Sequence, residues 1–78
     1  MNLTIISPDR EIFKGTAELV QFPGTEGSFE VLPGHARMIV TIAEGDIRIV
    51  KNQQETLMVT VKGGVVEIRD DNILVLSK

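Results

Sequence analysis

The chain has 78 residues, of which 42% are hydrophobic, with a formal net charge of −3, a single histidine and no cysteine. This length predicts one domain over residues 1–78, close to the size at which folding buries only about 60% of the surface of the unfolded chain. The acidic balance disfavours nucleic acid as a partner. The absence of cysteine excludes disulfides and thiolate metal sites. No segment reaches the roughly 20 apolar residues needed to insert into a membrane.

Short apolar or alternating segments, separated by Gly, Pro, Asn and Asp, run the length of the chain. No window carries a helical period, whereas period-two alternation recurs. The predicted strands are, in chain order, 2–7, 11–14, 16–22, 29–31, 38–42, 46–51, 56–62, 65–69 and 73–76. The pattern predicts an all-β fold, a small flattened β-sandwich of short, mostly antiparallel strands.

Two Pro-Gly pairs, Pro23-Gly24 and Pro33-Gly34, bracket the predicted strand 29–31. Proline sets φ for the first corner of a type II turn and glycine accepts the positive φ of the second, so each pair predicts such a reversal. Segment 22–36 should therefore be a stiff protrusion. A loop ordered by its own turns loses little entropy on docking, which favours recognition of a protein partner.

Two further breaks in the pattern have structural interpretations. Gly63-Gly64 predicts a bulge or a close approach between strands. Asp70-Asp71-Asn72 is typical of a hairpin turn, an interpretation that we prefer to a metal-binding pair.

Several predicted strands carry more apolar residues than one buried face requires. A two-layer sandwich buries one face of each sheet, so its strands should alternate apolar and polar residues. The exceptions are 3–6, 38–40, 65–66 and 73–76. If one member of each run faces the core, its neighbour faces out, and a contiguous exposed apolar area usually marks a protein interface.

The run P-G-T-E-G-S-F-E-V-L-P-G-H-A over residues 23–36 resembles a signature of the amino-terminal domain of the epsilon subunit of F-type ATP synthases, called delta in mitochondria. The runs S-P-D-R-E-I-F-K-G, G-D-I-R-I-V and G-G-V-V-E-I-R-D-D-N-I-L-V agree with it, so the resemblance covers nearly the whole chain. It implies a non-catalytic central-stalk subunit without a cofactor, which binds the gamma subunit and the c-ring and couples proton-driven rotation to ATP synthesis. It also implies a peripheral location on the cytoplasmic face of a bacterial cell membrane.

The resemblance also implies contact residues, carried over position by position. Those facing the c-ring are Glu26, Gly27, Ser28 and Glu30. Those facing gamma are Ser7, His35, Arg37 and Val40. Ser28 replaces an acidic residue common in relatives, Glu30 a glycine and Arg37 a proline, so the acidic charge has moved along the loop. Relatives commonly continue into a helical hairpin that restrains ATP hydrolysis, and we expect this chain to lack it.

Two functions from other classes remain as alternatives. One is a biotinyl- or lipoyl-like carrier domain modified at Lys51, although the flanking Val50 and Asn52 do not resemble the settings of such lysines. The other is a hydrolytic set of Ser28, Glu30 and His35, although no strand-to-helix nucleophile elbow surrounds any serine.

Overall fold

Seven strands and no helix make up the chain in a computed structural model that describes residues 1–78, which confirms the all-β prediction. The strands are β1 (Asn2–Ser7), β2 (Arg10–Thr16), β3 (Leu19–Phe22), β4 (Phe29–Val31), β5 (Met38–Val50), β6 (Thr56–Arg69) and β7 (Asn72–Ser77). The structure contains no helix with the length and apolar character needed to cross a membrane.

Backbone hydrogen bonds join the strands in the order β2-β1-β7-β6-β5-β3-β4. Only β1 and β7 are parallel, so the mostly antiparallel arrangement is confirmed. The strands form two packed layers, and β5 and β6 each contribute one half to each layer. The first layer contains β2, β1, β7 and the paired segments 38–42 and 64–68, and the second contains β3, β4 and the paired segments 46–50 and 56–60.

The prediction of separate strands at 38–42 and 46–51, and at 56–62 and 65–69, is wrong. β5 and β6 have 13 and 14 residues and pair in one register from Met38↔Ile68 to Val50↔Thr56, and only Ala43 and Gly63 do not pair with each other. The glycines at positions 45, 63 and 64 allow the chain to change direction while the hydrogen-bonded ladder continues. One long hairpin therefore links the two layers.

The core lies between the layers and forms a single cluster of 14 buried hydrophobic residues. Alternate positions of β1 and β7, among others, point into it, as the period-two pattern predicts. Completely buried side chains from the first layer include Leu3, Ile5, Val66 and Val75, and those from the second include Val20, Phe22, Val31, Ile47 and Ile49. Burying each such aliphatic side chain contributes about 1.5–3 kcal/mol relative to exposing it.

Gly64 marks a close approach between strands and not a bulge. The register runs without a shift from Ile42↔Gly64 to Glu44↔Lys62. Gly64 has φ 150°, and a Cβ on it would overlap the backbone carbonyl oxygen of Leu76 in β7.

The two Pro-Gly pairs behave differently. Gly34 has φ 86°, and the N–H of His35 donates to the carbonyl oxygen of Leu32 at 3.1 Å, as expected for a reversal at Pro33-Gly34. The prediction of a type II turn at Pro23-Gly24 is wrong, because Gly24 instead forms a bridge with Ile42 of β5 and does not have a positive φ.

The reversal in this segment comes later, at residues 24–27. The N–H of Gly27 donates to the carbonyl oxygen of Gly24 at 3.1 Å, and Gly27 has φ 122°. The physical reason is competition from β5. The Ala43 N–H donates to the carbonyl oxygen of Pro23 at 2.7 Å, which holds the Pro-Gly pair extended against that strand.

Candidate partner-binding surfaces

The outer surface of the first layer carries an apolar face, which we define as Ile6, Ile39, Val65, Leu74 and Leu76. Residues paired across neighbouring strands project to the same side of a sheet. Leu76 pairs with both Ile6 and Val65, and Glu67 pairs with both Leu74 and Ile39, so the five side chains share one side.

This apolar face is accessible to solvent. Ile39 is 72% exposed and Leu76 is 47% exposed, while the other three members are half-buried by their neighbours. The prediction that the apolar runs place neighbours on opposite sides of the sheet is confirmed, since Ile5, Val66 and Val75 next to these residues are completely buried. Glu67 also lies on this side, between Leu74 and Ile39, so the face is mainly apolar with one carboxylate inside it, which is the character of a protein-docking site.

The second candidate surface is the 23–28 loop, which we define as residues 23–28, between β3 and β4. Glu26, Gly27 and Ser28 form its exposed tip. The base is held against β5 by the Ala43 bond to Pro23 and by a bond of 3.3 Å from the N–H of Thr25 to the carbonyl oxygen of Thr41. The loop thus presents a carboxylate on a backbone that is anchored on one side.

Glu30 lies outside the loop tip. It is the middle residue of β4, with Val31 buried and Phe29 packed against the core, so its own side chain is exposed on the outer side of the second layer. It pairs with Gln21, which in turn pairs with Arg48 of β5. The acid that replaces a glycine therefore extends the acidic surface onto the flank of the sandwich.

The candidate gamma contacts lie around the apolar face. Ser7 ends β1 next to Ile6, and its hydroxyl donates to an Asp9 carboxylate oxygen at 2.8 Å. Arg37 precedes β5 at the other end of the layer. The two positions therefore flank opposite ends of the first layer, with the apolar face between them.

Val40 and His35 are less accessible than their predicted role suggests. Val40 is half-buried and pairs with the completely buried Val66, so its side chain points toward the core side of the layer. His35 is half-buried, and its Nδ1–H donates to the carbonyl oxygen of Ala36 at 2.8 Å. The neighbouring Ile39 is the most exposed apolar residue of this strand, and the run 38–40 alone does not show which of its members faces out.

Arg37 forms an ion pair with the β6–β7 turn. Its guanidinium donates to both carboxylate oxygens of Asp70 at 2.9–3.2 Å, and Asp70 itself has φ 54°, which fits the predicted hairpin turn. Both side chains remain about two-thirds exposed, at 68% and 65%. The pair orients the guanidinium at the corner of the first layer and leaves it accessible to a partner.

We expect Arg37→Ala to lower the free energy of unfolding by less than about 1 kcal/mol, because exposed ion pairs are screened and cost side-chain entropy. Urea titration measures the change, and 1 M salt should reduce it further. Arg69→Ala is the matched control, since Arg69 forms a similarly exposed pair with Glu67 at 3.2 Å. A loss of unfolding free energy above about 2 kcal/mol for Arg37→Ala, without a similar loss for Arg69→Ala, would contradict the interpretation of Arg37 and Asp70 as a weak, exposed ion pair.

The residues of the two alternative functions are not arranged for those functions. Lys51 lies at the base of the 51–55 turn, half-buried, with its Nζ 5.8 Å from the centroid of the Phe13 ring, whereas a carrier lysine must reach out from a turn. Ser28, Glu30 and His35 share no hydrogen bond, and the histidine is bonded to its neighbour's carbonyl. No group of three or more His, Asp or Glu side chains is placed to hold a metal ion.

Comparisons with known proteins agree on one family. The family described as ATP synthase, Delta/Epsilon chain, beta-sandwich domain matches residues 1–78. The chain is 32% identical over 77 residues to the ATP synthase epsilon chain of Leptospira borgpetersenii serovar Hardjo-bovis (strain JB197). It is 35% identical over 77 residues to that of Leptospira interrogans serogroup Icterohaemorrhagiae serovar copenhageni (strain Fiocruz L1-130). In both cases 99% of this chain is covered, and it spans 60% of the relative's length.

Two solved structures share the fold. A chain of the Euglena gracilis mitochondrial ATP synthase superimposes with a TM-score of 0.88 at 19% identity, covering 96% of this chain and 48% of that one. A chain of the Tetrahymena thermophila mitochondrial ATP synthase, from its central stalk and c-ring, superimposes with a TM-score of 0.79 at 16% identity, covering 97% and 61%. The agreement over the whole length confirms the resemblance seen in segment 22–36, and the chain belongs to the beta-sandwich domain family of the ATP synthase delta and epsilon chains.

Proposed function

We propose that this chain acts as a non-catalytic part of the central stalk of an F-type ATP synthase, where it binds the gamma subunit and the c-ring and couples proton-driven rotation to ATP synthesis. The observation that carries the proposal is the exposed apolar face on a member of this family. The relatives are named ATP synthase epsilon chain, and one structural neighbour comes from a central stalk with its c-ring.

The gamma subunit is the partner that we assign to the apolar face. Ser7 lies at one end of the first layer and His35 and Arg37 lie at the other, so a long partner crossing the face contacts both ends. Val40 supports this contact only through its neighbour Ile39, because its own side chain points toward the core side of the layer. Burial of apolar surface stabilises this contact, and salt does not screen that stabilisation. The residues at the two ends of the layer fix the orientation of the partner.

The c-ring is the partner that we assign to the 23–28 loop. Glu26, Gly27 and Ser28 are exposed at its tip, and Glu30 adds a second carboxylate on the flank. Carboxylates at an accessible rim favour a partner with basic groups and a contact that weakens with salt. The two surfaces thus differ in chemistry, one apolar and one acidic.

β5 provides the mechanical connection between the two surfaces. Ile39 of β5 lies on the apolar face, and residues 41–43 of the same strand hold the base of the 23–28 loop. The strand is paired with β6 in one register on both sides of Ala43, so a force on the loop is carried to the apolar face through the hydrogen-bonded ladder. Rotation of the c-ring can then turn the gamma subunit, because the domain transmits the force without bending.

In this assembly the chain lies peripherally on the cytoplasmic face of a bacterial cell membrane. It needs no catalytic group of its own, since the complex carries out the chemistry.

The test uses inverted membrane vesicles from cells in which this subunit is deleted. We expect them to hydrolyse ATP with weakened acidification of the lumen, and we expect the purified chain to restore acidification. Acidification that is unchanged by the deletion would contradict a coupling role. Loss of the synthase from these membranes is distinguished by measuring bound hydrolytic activity in parallel.

A further inference from the structure

The base and the tip of the 23–28 loop are held by different kinds of contact. At the base, backbone bonds join Pro23 to Ala43 at 2.7 Å and Gly24 to Ile42 as a bridge. The Pro23 ring also lies against Gly45, where an added Cβ would come within 3.0 Å of the proline Cβ. These contacts involve main chain or apolar surface and leave little freedom to the first two residues of the loop.

Toward the tip, a side-chain contact joins the loop to β5. The hydroxyls of Thr25 and Thr41 form a hydrogen bond of 2.9 Å, exposed to solvent, beside the longer backbone bond of 3.3 Å between the same two residues. Thr25 is followed by the corner of the turn that places Glu26 and Gly27 at the tip. The orientation of the loop tip relative to the sheet therefore depends on the hydrogen bond between Thr25 and Thr41.

Thr41 also adjoins the apolar face. It pairs with Val65, which pairs with Leu76, so the three residues lie in one row across the outer side of the first layer. From this position in the row, Thr41 directs its hydroxyl to the loop.

We propose that Thr41 is a positioning residue that fixes the direction of the 23–28 loop through its hydroxyl bond to Thr25, at the point where the loop meets the apolar face. The consequence for c-ring contact rests on the proposed function, whereas the consequence for loop order does not. A loop held in one direction presents Glu26 without a further loss of entropy on binding.

The test replaces the hydroxyl with a methyl group of the same shape. In Thr41→Val, and equally in Thr25→Val, we expect the backbone order parameters of Glu26 and Gly27 to fall from near 0.85 toward about 0.6. Amide-exchange protection of Gly27 should fall between about twofold and tenfold, the range of one exposed hydrogen bond. The melting temperature should fall by less than about 5 °C.

The double variant Thr25→Val with Thr41→Val tests whether the two residues act together. We expect it to lose no more order than either single variant, because both remove the same bond. Thr60→Val is the matched control. Thr60 donates a similarly exposed bond to Asp46 at 2.6 Å that involves no residue of the loop, and its loss should leave the tip unchanged.

Unchanged loop order and protection in both single variants would overturn the proposal, as would additive losses in the double variant. Binding to detergent-purified c-ring is the separate readout for the partner. A loosened loop that binds the c-ring with unchanged affinity supports the positioning role and counts against the proposed c-ring contact.

Discussion

Gly64→Ala should lower the free energy of unfolding by about 3 kcal/mol. Gly64 has φ 150°, and its added methyl group would overlap the carbonyl oxygen of Leu76. That oxygen belongs to the backbone of β7, which pairs with β6 on this side, so it can move only by disturbing the sheet. Chemical denaturation measures the loss, which corresponds to a fall in melting temperature of about 12 °C or more.

Gly15→Ala is the matched control for this prediction. Gly15 also lies in a strand, but its φ is not positive, and the nearest atom to an added Cβ is a ring carbon of Phe13 at 3.2 Å. That ring is a side chain and can shift, so the loss should stay below about 1 kcal/mol. Equal losses for the two variants would mean that the close approach of β6 and β7 does not constrain the fold.

The double variant Ile39→Asp with Leu76→Asp should weaken binding to gamma at least about 100-fold. Each substitution removes about 1.5 kcal/mol or more of apolar burial and places a carboxylate without a partner in the contact. Two such losses together exceed the 2.7 kcal/mol or so that corresponds to 100-fold. Isothermal titration with purified gamma subunit measures the affinity.

The stability of the isolated domain should change little, because both side chains already face solvent in it. Met58→Asp is the matched control. Met58 is 57% exposed on the outer side of the second layer, where it pairs with Arg48, and its replacement should alter gamma affinity less than about threefold. Equal weakening by both substitutions, or none from the double variant, would contradict the assignment of gamma to the apolar face.

The fold class followed from the sequence because period-two alternation and turn residues are local signals. β1 was predicted with its observed bounds. The continuity of β5 and β6 could not be predicted, since glycine normally interrupts a strand. Here Ala43 and Gly63 do not pair with each other but bond to Pro23 and Lys78, which keeps both strands continuous.

The candidate surfaces were predictable only in part. The excess of apolar residues indicated an outward face, but which member of 38–40 is exposed depends on the pairing of Val40 with Val66. The Thr25–Thr41 contact joins residues 16 positions apart, and no local pattern signals it. The wrong prediction of a turn at Pro23-Gly24 also comes from a contact between residues distant in sequence. β5 lies beside that pair and forms hydrogen bonds with it.

The salt dependence of binding to gamma tests the central claim most directly, because an apolar contact and a charge contact respond in opposite ways. Titration calorimetry of the unmodified chain against purified gamma subunit should give dissociation constants that differ by less than about threefold between 0.1 M and 1 M salt. A weakening of more than about tenfold over this range, or no binding at either concentration, would contradict docking through the apolar face.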